Sequence, residues 1–295
     1  MSPTGTVPAS PRDIFVCPVC KNPLVASLQA FACATCQSSY PITNGIPDFT
    51  LPITAHNFID EKNQTWLDQR ITTARDMVYA SCARQLKGMT FCMQTIARLA
   101  CSGCRLLEAG MGTGHFTAWM ADVMPPGSHI FAFDIAWPML EIARAKTSAL
   151  EEVILFRANT RDRLPFPDGY FDIVFLRLAP LGPHGVPNVQ AGLALLKPGG
   201  WYFEAGWEPA RYETPPTAWA IQHGFTNAEH HVWQYWRVQS EEEHAASQIE
   251  REHMASMEEK PEAARFLQMP PFERRSKDGS RVLTSENLLI AQKPL

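Results

Sequence analysis

No run in the sequence approaches the ~18 consecutive apolar residues that a membrane-spanning helix requires, so no helical membrane span is expected. Charge of one sign is equally scarce: 26 Lys and Arg stand against 30 Asp and Glu, a net charge of −4. The whole molecule therefore carries no electrostatic excess for polyphosphate, which weakens nucleic-acid binding as a reading without excluding it. The stretch from Met1 to Asp13 is polar and Pro-rich, with neither the basic n-region nor the apolar h-region of a secretory signal, and a cytoplasmic location is expected. Repeats and low-complexity tracts are missing. With 45% hydrophobic and 19% charged residues over 295 positions, the chain is not mainly disordered and has material for a sizeable core.

Cysteine, by contrast, is plentiful. Eight cysteines in a chain without an export signal read first as reduced thiols or metal ligands. Four fall as Cys17-Pro-Val-Cys20 and Cys33-Ala-Thr-Cys36, with twelve residues between the pairs. Each C-x2-C turn supplies two thiolates from one knuckle, and two such knuckles converge on one tetrahedral Zn2+ at about 2.3 Å per sulfur. Four thiolates close the shell, so the metal is expected to be structural; a redox dithiol or two unrelated pairs are the alternatives. Phe15, Val16, Leu24, Val25 and Phe31 surround the ligands in short strand-like runs, a core small enough to need its metal. Together with the tail Tyr40-Pro-Ile-Thr-Asn-Gly-Ile-Pro-Asp-Phe49, residues 15 to 49 resemble the small zinc ribbons of methyltransferase activators. Cys82 and Cys92 read as buried hydrophobes and Cys101-Ser-Gly-Cys104 as a loop, with no second metal site.

The rest of the chain divides by pattern. Residues 1–50 form the ribbon; 51–103 hold a linker and one or two helices; 104–295 form the main domain, with a helical, acidic insertion over about 241–275. From 104 onward short apolar runs alternate with helical stretches: Arg105 to Ala109, Ile130 to Asp134, Val153 to Arg157, Phe171 to Leu178 and Gly200 to Ala205. Each connection has room for a crossover helix, which predicts an α/β fold with a Rossmann-like parallel sheet covered on both faces. A helix over Trp219 to His223, a strand through Val232 to Val238 and a last strand through Leu288 to Gln292 complete it.

The chemistry is carried by Leu106-Leu-Glu-Ala-Gly-Met-Gly-Thr-Gly-His-Phe116. A strand ending in Glu108 runs into Gly110, Gly112 and Gly114, where a backbone can bend sharply and touch a ligand. The spacing G-x-G-x-G differs from the pyrophosphate-binding G-x-G-x-x-G, and an acid beside the loop repels phosphate while attracting an ammonium group. A nucleoside with a cationic end, S-adenosylmethionine, fits. Asp134, ending the next strand, is placed to accept both hydroxyls of a ribose, and Asn159 and Thr160 lie where an adenine edge would sit.

Residues 104 to 206 resemble the class I S-adenosylmethionine-dependent methyltransferases, especially the ubiquinone and menaquinone C-methyltransferases. Five segments match in order: Glu108-x-Gly-x-Gly-x-Gly114, Phe133-Asp-Ile-x-x-x-Met-Leu140, Arg163-Leu-Pro-Phe-Pro-Asp168, Phe171-Asp-Ile-Val174 and Leu195-Leu-Lys-Pro-Gly-Gly200. The resemblance implies that Glu108 and the glycines hold the methionine part, that Asp134 holds the ribose, and that Ile135 packs on adenine. It departs at Thr160, where the family usually has an acid.

The acceptor leaves a weaker mark, because methyl transfer needs in-line approach and a dry pocket more than a fixed set of side chains. No Asn/Asp-Pro-Pro-aromatic motif and no Pro-Cys pair follows the fourth strand, which argues against amino-type nitrogen methylation and against cytosine C5 attack. The segment Leu176-Arg-Leu-Ala-Pro-Leu-Gly-Pro-His-Gly185 places Arg177 and His184 at the crevice, with His184 as a candidate proton acceptor. Trp201, Tyr202, Trp207, Trp233, Tyr235 and Trp236 read as core, with an apolar acceptor pocket as the alternative. Three functions follow: methyl transfer to a small-molecule acceptor; methyl transfer to rRNA, since a zinc module ahead of this fold is also similar to the 23S rRNA guanine-N1 methyltransferases; or S-adenosylmethionine binding without turnover. The first is favoured, because residues 1–50 carry only Arg12 and Lys21 against Asp13 and Asp48.

Overall fold

The alternating pattern after residue 104 folds into one mixed sheet, as the computed structural model shows for residues 11–51, 69–160, 162–177, 189–206, 215–257, 274–277 and 280–295. The N-terminal ribbon has strands β1 (Val25–Ala26), β2 (Ala30–Ala32), β3 (Ser39–Thr43) and β4 (Ile46–Pro47), paired antiparallel in that order. Helices α1 (Gln69–Cys82) and α2 (Lys87–Leu99) follow. The main domain then runs β5 (Arg105–Ala109), α3 (His115–Val123), β6 (His129–Asp134), α4 (Trp137–Thr147), β7 (Val153–Arg157), β8 (Phe171–Arg177), α5 (Val189–Leu195), β9 (Leu196–Gly206), α6 (Pro216–Gln222), β10 (Thr226–Val238), α7 (Glu241–Met257), β11 (Arg274–Arg275) and β12 (Arg281–Gln292).

The strand order is β10-β12-β9-β8-β5-β6-β7, with β5 to β9 parallel, and β12 antiparallel to both β9 and β10. The order reverses between β5 and β8, which opens a crevice above the carboxyl ends of those strands. The parallel strands β5 to β8 are buried on both faces: Leu106, Ile130 and Phe175 face α2, α3 and α4, while Leu107, Phe131 and Phe156 face the other way. The edge strand β10 has no buried residue. The last two strands are longer than their sequence patterns, since β10 and β12 pair from Thr226↔Gln292 to Val238↔Arg281 through polar flanks.

One expectation fails. Between β7 and β8 the described residues contain no helix, because Pro165 and Pro167 interrupt the segment and each removes a backbone donor. The ribbon covers that face of the sheet instead. Phe15 is buried with its ring 5.4 Å from Phe166 and 5.8 Å from Phe156, and Phe49 packs 4.9 Å from Phe15. Ribbon and domain thus share one aromatic core. Polar tethers fix the register: Val16 N–H donates to the Pro165 carbonyl at 3.0 Å, Phe49 N–H to Arg157 at 2.8 Å, and Lys21 Nζ to Leu164 and Phe166 at 3.2 and 2.8 Å.

Candidate cofactor cleft and cysteine cluster

Strand β5 ends in a loop that only glycine follows easily: Gly110, Gly112 and Gly114 have φ of 71, 59 and 82°. A Cβ on Gly112 would meet nothing within 4 Å, so the loop presents bare backbone to open space, whereas at Gly114 it would stand 3.0 Å from Ala143. The loop is pinned to the next strand, with Gly110 and Met111 N–H both donating to the Phe133 carbonyl at 2.9 and 3.0 Å. Asp134 completes the turn, its Oδ2 accepting Gly112 N–H at 2.9 Å and its Oδ1 accepting Ala136 N–H at 3.0 Å. Desolvation raises the Asp134 pKa against the pull of these backbone donors and that of Ile135.

Glu108 lies beneath the loop, 2% exposed, and accepts the Thr117 hydroxyl at 2.6 Å from the first turns of α3. Burial pushes its carboxyl up to about 8, and Thr117 and the Arg177 charge only partly offset this. Arg177, ending β8, donates to the Tyr79 hydroxyl at 2.8 Å, and its guanidinium carbon lies 4.7 Å from the Tyr79 ring and 4.4 Å from that of Phe116. Asn159 is buried and Thr160 half-buried just past β7. His184 and Trp207 lie outside the described residues. Of the other aromatics only Tyr202 is core, fully buried and donating to Glu204 at 2.8 Å. Trp201, Trp233 and Tyr235 are half-buried, with Trp233 5.5 Å from Phe91 and Tyr235 donating to Glu286 at 2.7 Å. Trp236, at 47% exposure, is not core because it lies on the open face of β10.

Several groups around the loop have no sequence signature. From α1, Asp76 accepts from Lys146 and Thr113 and meets His115 Nε2 at 2.9 Å. Burial pushes the Asp76 carboxyl up, but Lys146, Thr113 and His115 bring it below its ordinary value. Burial and the Lys146 charge lower the His115 pKa against the opposing pull of Asp76. Helix α1 thereby lies against the glycine loop. On its other side it meets α7, through Arg75 and Glu250 at 2.7 Å and Ser81 and Glu243 at 3.3 Å. Among the described residues the acidic insertion helix packs against α1, which in turn meets the loop.

The four ribbon thiols converge. All four Sγ atoms lie within 4.8 Å of one another, with Cys17 to Cys36 at 3.4 Å and Cys20 to Cys33 at 3.5 Å. A tetrahedral ion with sulfurs at about 2.3 Å sets them about 3.8 Å apart, so the cluster fits one metal with little movement. Two like knuckles build it. Cys17 N–H donates to Asn22 and Cys33 N–H to Ser38, both at 2.9 Å, and Lys21 and Gln37 turn back on Cys17 and Cys33 with φ of 60 and 63°. Asn22 Nδ2 donates to Cys20 Sγ at 3.4 Å, and Ser38 Oγ stands 3.2 Å from Cys36 Sγ. The Ser38 side-chain and backbone contacts hold the Cys36 thiol down at about 6, which favours a thiolate. Cys82, Cys92 and Cys104 are buried apart from the cluster and Cys101 is exposed.

Comparison with known proteins agrees with this geometry. Residues 106–200 match a family model described as a methyltransferase domain. Over 102 residues the chain is 31% identical to demethylmenaquinone methyltransferase from Staphylococcus aureus, a match covering 33% of this chain and 41% of that enzyme. The chain thus spans about two fifths of the length of the curated relatives it matches. In fold it is similar to phosphoethanolamine N-methyltransferase 2 from Haemonchus contortus, solved with S-adenosyl-L-methionine, at a TM-score of 0.51 and 16% identity over 84% of this chain and 62% of that one. The glycine loop after β5, the acid ending β6 and the Rossmann-like strand order agree with the match of residues 106–200 to a methyltransferase domain.

Proposed function

We propose that the protein transfers a methyl group from S-adenosylmethionine to a small-molecule acceptor, with a structural zinc ion in the ribbon. The observation that carries this reading is the glycine loop: bare at Gly112, bound to the Asp134 carboxylate, and backed by Glu108. Bound S-adenosylmethionine supplies an electrophilic methyl group on a sulfonium. Gly110, Gly112 and Gly114 give the methionine part room, and Glu108 holds its ammonium group. Asp134 accepts the ribose hydroxyls, Ile135 packs on adenine, and Asn159 and Thr160 meet its polar edge. Arg177 orients the acceptor side of the crevice and His184 takes a proton from the acceptor. Cys17, Cys20, Cys33 and Cys36 hold the zinc, whose closed shell gives it no part in the chemistry.

The small-molecule acceptor is supported against rRNA by the ribbon's own charges. Lys21, one of its two cations, is committed to two carbonyls of the domain, and Arg12 donates to Gly45 at 2.9 Å. The ribbon has only these two cations, and both direct N–H donors to protein carbonyls rather than leaving them for phosphates. Among the described residues no helix is long and apolar enough to cross a membrane.

The test is transfer of radiolabelled methyl groups by purified protein to fractionated extract and RNA from cells lacking the gene. Label in organic-soluble small molecules supports the proposal. RNase-sensitive label would make the ribbon an RNA-positioning module, and binding without transfer would make the chain a non-catalytic binder.

A further inference from the structure

Arg157 occupies an unusual position: it ends the outermost parallel strand, beside Asp134 in register, and its guanidinium joins two separate parts of the chain, the 134–137 turn and the ribbon. Nε donates to the Ile135 carbonyl at 2.7 Å, Nη1 pairs with Asp48 Oδ2 at 2.9 Å, and its carbon lies 5.3 Å from the Trp137 ring centre. Asp48 belongs to the ribbon and is itself oriented, since Thr50 donates to its Oδ1 from both backbone and hydroxyl at 3.0 and 2.6 Å. Both side chains of the pair are largely buried, at 13% and 15% exposure, so the contact is shielded from solvent, unlike a surface ion pair.

The consequence lies at residues 134 to 137. There the chain leaves β6, sends the Asp134 carboxylate back to the glycine loop and enters α4. The Ile135 carbonyl in this turn is held by Arg157, and Arg157 is held by the ribbon. The ribbon and the residue that leaves it grip the following segment too: Lys21 donates to Leu164 and Phe166, and Leu51 N–H to Asp162 Oδ2 at 3.4 Å. Thus the segments on both sides of the expected adenine position are tied to the cysteine-bearing module, in the layer where a crossover helix is missing.

We propose that Asp48 and Arg157 are positioning residues for the nucleoside end of the cofactor site, and that ribbon docking sets that end in place. The proposal rests on the reading of the cleft as a nucleoside site and makes the ribbon a brace for it. Removing the Asp48 charge frees the guanidinium, and the 134–137 turn loses its outside support.

The test measures binding of S-adenosylhomocysteine and of methylthioadenosine, which keeps the nucleoside and lacks the amino acid end, by calorimetry on the full chain. Asp48→Asn and Arg157→Lys are each expected to weaken both ligands by on the order of tenfold. Asp48→Glu is expected to restore most of the affinity, and the double variant to be no weaker than either single one. Cobalt substituted into the ribbon reports whether its thiolates remain closed. Should Asp48→Asn lose that absorption, Thr50→Val probes the same contact with the charge retained, and a smaller loss for both ligands is expected. Affinities within twofold of the parent protein would overturn the proposal, as would weaker S-adenosylhomocysteine binding with methylthioadenosine unchanged. Parent protein that binds neither ligand would overturn the reading of the cleft as well.

Discussion

The Thr117 hydroxyl donates to Oε2 of Glu108 at 2.6 Å in a fully covered site beneath the glycine loop. A single neutral donor does not compensate a buried carboxylate, and the Glu108 pKa is accordingly raised from 4.5 to about 8. Between those values the folded chain holds a proton that the unfolded chain has released. The stability of the ligand-free protein therefore falls as pH rises from about 4.5 to about 8. Glu108→Gln should flatten this slope in thermal melts across pH. Ligand binding that pairs Glu108 with an ammonium group should release a proton below pH 8, readable from calorimetry in buffers of different ionisation enthalpy.

Arg177 lowers the Glu108 pKa through its charge while stacked between Tyr79 and Phe116. Arg177→Gln should push the Glu108 midpoint higher still. The pH dependence of S-adenosylhomocysteine binding should shift upward, with affinity at pH 7 reduced. An unchanged pH profile would show that Arg177 does not act on this carboxylate.

The thiols should separate by reactivity. Burial raises the Cys82 thiol to about 11 and the Cys104 thiol to about 12, and raises Cys92 further, while Cys101 is exposed. Zinc-loaded protein should give one fast thiol toward an aromatic disulfide reagent and one zinc per chain by elemental analysis. Chelation should expose the four ribbon thiols and lower the melting temperature. Cys36→Ser should likewise lower the melting temperature without a chelator and expose the three ribbon thiols that remain.

Phe15 ties the ribbon into the aromatic core of the sheet. Phe15→Ala is expected to cost about 3–5 kcal/mol, and calorimetry should show one transition moved down as a whole. Two resolved transitions, with only the first displaced, would mean that ribbon and domain unfold independently.

Much of this was legible in local sequence. The C-x2-C pairs, the glycine loop and the acids at 108 and 134 act over a few residues, so their spacing reports their geometry. The sheet followed from its run of buried strands. The length of the connection before β8 suggests a crossover helix, but Pro165 and Pro167 carry the contrary signal and the described residues there form none. The Asp48 to Arg157 pair left no trace, being a contact between residues 109 apart whose meeting depends on the ribbon seating against the sheet. The Asp76 cluster was hidden for a similar reason, since α1 is too polar to announce which face it turns toward the loop.

The ribbon's seat in place of a helix also sets an order of events during synthesis. Lys21 finds its carbonyl partner 143 residues further along, so the ribbon leaves the ribosome well before its partner strands. At 5–20 residues per second that interval lasts roughly 7 to 30 seconds. Until then Phe15, Phe31 and Phe49 have no sheet to cover them. Early metal capture by the nascent chain would knot the four thiols together during this wait and shield them from oxidation, so metal supply would govern yield during translation as well as the stability of the finished protein.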